Sequence, residues 1–388
     1  MRRTRIPAAL ILAASAAAAP APPPAAALTQ LSALLSATLP HRLAPTLNLS
    51  ATPVRAGGAA TTYTPTVLMH GLGDAGSNAG MQSLAQSVMT AYPGAYATAV
   101  NVANTLFSFI VPIMDQVHEL AAAIKADPRL VGAPEVNMVG LSQGGLVIRG
   151  YAQVYGSEPG YPRVKNLVSI CGVQSGVFNC PAELQIIPGL CAIFELDPYN
   201  FLFNGSIPLS FSDYFTTYWN RSMYETQNDL LPLLNNQVPH ANSALYKRNM
   251  EAIKTVVLIQ ATQDTVVYPH ESEQFGGYAW ATAKANPVTL NFTTGYSYVG
   301  DLIGLRTRAE NGKDSLVLSE FVGDHIRFSD AYCACGQTCP PWRPVRAPLL
   351  RHGPFCLFLL RSQRLPPPPS PHFFLAPAGN TVIIPFLQ

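Results

Sequence analysis

Gly140-Leu141-Ser142-Gln143-Gly144 fits G-x-S-x-G, a pattern that places a serine on a tight turn between a strand and a helix. The flanks match that context. Residues 135–139 read as a short buried strand, and residues 146–152 read as the start of a helix. A serine hydroxyl is a weak nucleophile until a base takes its proton and a third group holds the base. In this arrangement the order along the chain is Ser, then an acid, then His, each in a loop after a strand. Asp264 follows the apolar run 254–260, and His325 follows the run 315–321. Ser142, Asp264 and His325 are therefore the expected nucleophile, orienting acid and base.

The other candidates fit less well. Glu271 and Glu273 lie further along, in a helix opening at Pro269. His270 and His240 come too early to be the base, and His118 falls in a helix spanning 115–125. Asp324 reads either as a residue that orients the histidine loop or as a plain solvated carboxylate.

Acyl transfer through serine needs two backbone N–H donors for the oxyanion. Gln143, the residue after the serine, supplies one. The loop His70-Gly71-Leu72-Gly73-Asp74 follows the strand 65–69 and supplies the other through Leu72. His70 is expected to brace this loop. These elements predict an α/β-hydrolase fold: a mostly parallel central sheet with helices on both faces. The chemistry is hydrolysis through an acyl-serine intermediate, with no metal or cofactor.

The chain has 388 residues, enough for one large α/β domain, and a net charge of +2 that suggests no nucleic-acid partner. Hydrophobic residues make up 48%, yet no run reaches the ~18 apolar residues of a membrane span. Residues 106–114 read as core or pocket wall. Arg2, Arg3 and Arg5 precede an apolar stretch and then small residues, so residues 1–27 read as a signal peptide, with a transit peptide the alternative. Residues 28–63 read as a low-complexity leader, 64–332 as the hydrolase domain, and about 181–219 as an insertion over the site. That insertion is rich in aromatics, from Phe194 to Trp219. A core reading explains about half of them, and the rest are expected to line a groove for a fatty acyl chain.

The chain resembles the palmitoyl-protein thioesterases, lysosomal type, at several separated motifs. These are the His70–Asp74 loop, the elbow with Gly145, the run 170–178, residues 263–269 with 272–276, and Gly323-Asp324-His325. The resemblance implies the same triad, with oxyanion donors at Leu72 and Gln143, although the family often has methionine where Leu72 stands. It implies S-palmitoylated proteins or peptides and long-chain acyl thioesters as substrates, and a lysosomal or extracellular location. A general lipase or carboxylesterase remains the alternative, with a non-catalytic hydrolase-fold binding protein behind it.

The resemblance further implies a disulfide between Cys180 and Cys191, and makes Asn220 the best of the N-x-S/T sites, which also include Asn48, Asn204 and Asn291. Cys171 reads as a buried free thiol in a strand. Cys333, Cys335 and Cys339 crowd together without a further ligand at zinc-finger spacing. Residues 331–388 contain no Asp or Glu, and 333–379 are Pro-rich with no helical or strand period. Residues 380–388 resemble the family's final segment, so 333–379 read as a disordered insert or a translated intron.

Overall fold

The computed structural model describes residues 63–180, 185, 189–200, 209–311 and 315–326. Six strands form one parallel sheet: β1 (Thr66–Met69), β2 (Ala97–Ala99), β3 (Glu135–Leu141), β4 (Arg163–Ile170), β5 (Thr255–Ala261) and β8 (Leu316–Phe321). Their order is β2-β1-β3-β4-β5-β8. Two further two-residue strands, β6 (Gly277–Tyr278) and β7 (Thr289–Leu290), pair antiparallel as a separate ribbon.

The strands read as near-continuous apolar runs because both faces are covered, as is usual for parallel sheets. Successive side chains alternate between two cores. Val67, Met69, Val136, Met138, Val256 and Leu258 enter one core; Leu68, Val139, Leu141, Val257 and Ile259 enter the other. The first core is closed by the helices Ile113–Ala126, Gln143–Tyr155 and Ser243–Glu251. Ile113, Val117, Leu120, Ala121 and Ile124 recur at helical spacing along one buried stripe. The helix Ala79–Ala91 covers the second core through Met81, Leu84, Ala85 and Val88.

The aromatic segment is buried more completely than its sequence suggested. Phe194, Phe211, Tyr214, Phe215 and Tyr218 are buried, and Tyr199 and Trp219 pack on core residues. Phe201 and Phe203 lie outside the described residues. Backbone bonds from Val177 to Tyr214 and from Thr216 to Val177 sew this segment to the stretch after β4. Cys180 and Cys191 form a disulfide in the same region, with Cα atoms 5.6 Å apart. Residues 1–62, which hold the expected signal peptide and all of the leader but Tyr63, residues 333–379, the terminal nine residues, Asn48, Asn204, Cys333, Cys335 and Cys339 lie outside the described residues.

Candidate active site

The site gathers at the carboxyl ends of β1, β3, β5 and β8, where open parallel sheets place their functional loops. At the end of β3 the chain reverses into the helix Gln143–Tyr155 through Ser142, whose φ of 54° and ψ of −124° lie outside the ordinary basins. Two glycines make that turn feasible. A Cβ on Gly140 would lie 2.4 Å from the Gly144 carbonyl oxygen, and one on Gly144 would lie 2.4 Å from the His70 carbonyl oxygen. The second contact places the loop after β1 directly against the elbow. The Ser142 N–H donates to the Ile170 carbonyl at 2.9 Å, which fixes the turn to β4.

His325 bridges the other two residues singled out by chain order. Its Nε2 lies 2.9 Å from Ser142 Oγ, and its Nδ1 lies 2.6 Å from Asp264 Oδ2. A carboxylate accepts only, so Nδ1 carries the proton and Nε2 is left to accept from the serine hydroxyl. Asp264 stands three residues past β5, buried, with Oδ1 accepting from the N–H groups of Val266 at 2.8 Å and Val267 at 2.7 Å.

Gln143 opens the helix, so its N–H has no intrahelical acceptor. Its buried side chain is saturated. Nε2 donates to the Ser108 carbonyl at 3.1 Å and to Gln116 Oε1 at 3.0 Å, and Oε1 accepts from Ser210 Oγ at 3.0 Å and Tyr214 OH at 3.1 Å. Leu72 is half-buried in the facing loop. That loop is braced at both ends. The His70 ring sits between the carbonyls of Gly71 and Val102, and the Gly73 N–H donates to Ser108 Oγ at 2.7 Å. A Cβ on Gly71 would lie 3.0 Å from Ser142 Cβ and 3.2 Å from the Leu141 carbonyl oxygen, so a side chain there would crowd the serine turn.

Several residues take positions that their sequence context left open. Asp324 is more than a solvated carboxylate: its Oδ1 accepts from Thr265 N–H, Thr265 Oγ and its neighbour His325 N–H. Cys171 is buried as expected, but it stands one residue beyond β4, with φ of 49°, rather than within the strand. Its sulfur, an Asp264 carboxylate oxygen and a His325 nitrogen lie within 4.8 Å of one another. Burial pushes the Cys171 thiol up, with the Glu273 and Asp264 carboxyls adding to the effect. Glu273 lies in the short 3-10 turn His270–Gln274 and is fully buried.

The rivals stand elsewhere. Glu271 sits 3.6 Å from His270 on the same turn. His118 contacts Tyr155 OH at 2.7 Å on the surface, and His240 faces the Leu233 carbonyl and Asn236 Oδ1. Asn220 is exposed and caps the helix Arg221–Gln227 by accepting from the Met223 N–H; Asn291 is exposed on a turn closed by Thr293 and Thr294.

A parallel sheet carrying a serine elbow, with an aspartate and a histidine on later strand ends, defines a hydrolase of the α/β-hydrolase fold. The chain matches the model of the palmitoyl protein thioesterase family over residues 65–325, and it belongs to that family. It is 31% identical over 250 residues to Palmitoyl-protein thioesterase 3 of Dictyostelium discoideum, covering 64% of this chain and 81% of that one. It is 27% identical over 282 residues to Palmitoyl-protein thioesterase 1 of Caenorhabditis elegans, covering 69% and 88%. With the human Lysosomal thioesterase PPT2 the identity is 24% over 282 residues, covering 72% and 82%. The chain is a thioesterase. Among the described residues no helix is long and apolar enough to cross a membrane.

Proposed function

We propose that the protein removes long-chain fatty acyl groups, palmitoyl in particular, from S-acylated cysteines of proteins. Ser142 attacks the thioester carbonyl while His325 Nε2 takes its proton. Asp264 holds the imidazole in the tautomer that leaves Nε2 free and stabilises the imidazolium that forms. The N–H groups of Leu72 and Gln143 receive the charge on the tetrahedral oxygen. His325 then returns the proton to the departing thiolate, and water releases the fatty acid by the same steps in reverse roles. The observation that carries this reading is the single imidazole spanning Ser142 and Asp264 at 2.9 and 2.6 Å.

The names of relatives support a lysosomal setting, reached through a cleaved signal in residues 1–27, with Asn220 and Asn291 as exposed glycan acceptors. Residues 333–379 are proposed to be dispensable. The deciding experiment is an assay of palmitoyl thioester hydrolysis by purified wild type and Ser142→Ala, with a palmitoyl oxygen ester alongside. Ser142→Ala should be inactive yet folded, and a fluorophosphonate should label wild type only. A Ser142→Ala protein that keeps most of its activity ends this assignment. Faster cleavage of the oxygen ester would mark a lipase instead.

A further inference from the structure

Against the Asp264–His325 pair lies a carboxyl that the chemistry above leaves unused. Glu273 is fully buried. Its Oε2 accepts the N–H of Ala261, the last residue of β5, at 3.0 Å. Its Oε1 is also buried and meets no donor among the described residues. The groups facing Glu273 are the Asp264 carboxyl and the Cys171 thiol, and Asp264 in turn holds His325.

An ionised Glu273 would leave a bare, buried anionic oxygen beside a second carboxylate, which combines two unfavourable situations. One proton shared by the two carboxyls removes both. Its place follows from the donors already present. Asp264 accepts from Val266, Val267 and His325, whereas Glu273 accepts from the Ala261 N–H and has the Cys171 thiol as its other donor neighbour. A proton on Glu273 turns its carboxyl into a donor, and the neighbouring carboxyl able to accept is Asp264. Burial and the neighbouring Asp264 carboxyl both hold the Glu273 carboxyl well above the usual carboxylate range.

We propose that Glu273 is a neutral carboxylic acid that donates a hydrogen bond to Asp264, and so acts as a positioning residue for the triad. This rests on the assignment of Ser142, Asp264 and His325 made above. The arrangement adds a donor behind the acid without a second negative charge, so His325 faces one carboxylate rather than two. Sequence position alone made Glu273 a rival for the acid's role; burial makes it the support of the residue that holds that role.

Two substitutions and one spectrum test this. Glu273→Gln keeps the shape, an acceptor for the Ala261 N–H and a neutral donor for Asp264. Glu273→Met keeps the bulk and removes the donor. Glu273→Gln should hold kcat within about threefold of wild type with an unchanged pH profile, while Glu273→Met should lower kcat at least about tenfold with KM unchanged. A displaced pH profile in folded Glu273→Gln, or a Met variant indistinguishable from the Gln variant, would overturn the proposal. The infrared spectrum of wild type at neutral pH should contain a protonated-carboxyl C=O stretch that Glu273→Gln lacks. Absence of that difference band overturns the proposal whatever the activities, and it decides the matter if Glu273→Met does not fold. The band is independent of turnover, so it separates this proposal from the Ser142 assignment, which Ser142→Ala tests.

Discussion

Asp324 and Thr265 join the two loops that carry His325 and Asp264: one carboxylate oxygen, Asp324 Oδ1, accepts from both the N–H and the hydroxyl of Thr265, each at 2.9 Å. The same oxygen accepts the His325 N–H at 2.8 Å. The spacing between β5 and β8 is thus fixed beyond their last ladder bonds, at the point where His325 must meet Asp264. Asp324→Ala should lower kcat by about tenfold, equivalent to about 1.4 kcal/mol of transition-state stabilisation, with little change in Tm. Asp324→Asn keeps an acceptor and should stay closer to wild type. Equal activity of Asp324→Ala and wild type would separate this tie from the chemistry.

Asp264→Asn replaces an acceptor of the Nδ1 proton with a group able to present a donor, which favours the wrong imidazole tautomer. The expected fall in kcat is roughly 10⁴, as in the serine-protease template. Glu271→Gln, beside His270 rather than His325, should have little effect. Steady-state kinetics on a palmitoyl thioester measure both, and a greater loss in Glu271→Gln would reassign the acid.

Gln143 has two roles that mutation can divide. Its N–H is a property of the backbone, while its amide ties Ser108, Gln116, Ser210 and Tyr214 together. Gln143→Ala keeps the N–H but removes the donor to Gln116 Oε1 and the acceptor of Tyr214 OH, while Ser210 Oγ still donates to the Ser108 carbonyl; a buried polar atom left unsatisfied costs about 1–3 kcal/mol. Tyr214→Phe removes one donor to Gln143 and should lower Tm less than Gln143→Ala does. Thermal melts of the two variants give the comparison; a smaller loss in Gln143→Ala would contradict it.

Stability should rise on acidification through one identifiable group. Asp213 accepts the Ile113 N–H at 2.7 Å, yet burial pushes its carboxyl up to about 7, with Asp229 and Asp115 adding to the effect. A folded-state value above the unfolded one means more protons bound in the folded state. The contribution is therefore complete below about pH 4, the ordinary aspartate value, and is lost as the pH rises through about 7. Asp213→Asn keeps the acceptor and should raise Tm at pH 8 relative to wild type, with the advantage shrinking toward pH 5. Parallel Tm curves for the two proteins would remove Asp213 from the account.

Each buried methylene of an acyl chain contributes about 0.8 kcal/mol of apolar transfer. Thioesters of about sixteen carbons should accordingly show far higher kcat/KM than acetyl thioesters. Equal values across the series would point to a site built for small acyl groups.

What was legible in the sequence was the part fixed by chain order. Ser142, Asp264 and His325 each follow an apolar run of strand length, and a parallel sheet brings such strand ends to one edge. The strand ends themselves shifted slightly: β3 runs on to Leu141 and β5 to Ala261. The contacts that support the triad were not legible. Gln143 meets partners from segments 27 to 71 residues away, so no local pattern announces it. Asp324 and Glu273 are carboxylates in polar stretches, where spacing does not say which side chain turns inward. Aromatic density in 181–219 did not say which side chains turn inward: Phe194, Phe211, Tyr214 and Phe215 enter the core, whereas Tyr199 and Trp219 are only partly buried.

Among the described residues β8 is an edge strand with β5 as its one neighbour, and His325 hangs from its end. The serine turn and its facing loop are instead locked into the middle of the sheet, between β1, β3 and β4. Damage to the last part of the chain therefore strikes His325 first and leaves the serine turn and its facing loop standing. A frayed β8 would yield a decoy: a folded protein able to dock a lipidated partner, occupy it and release it unaltered.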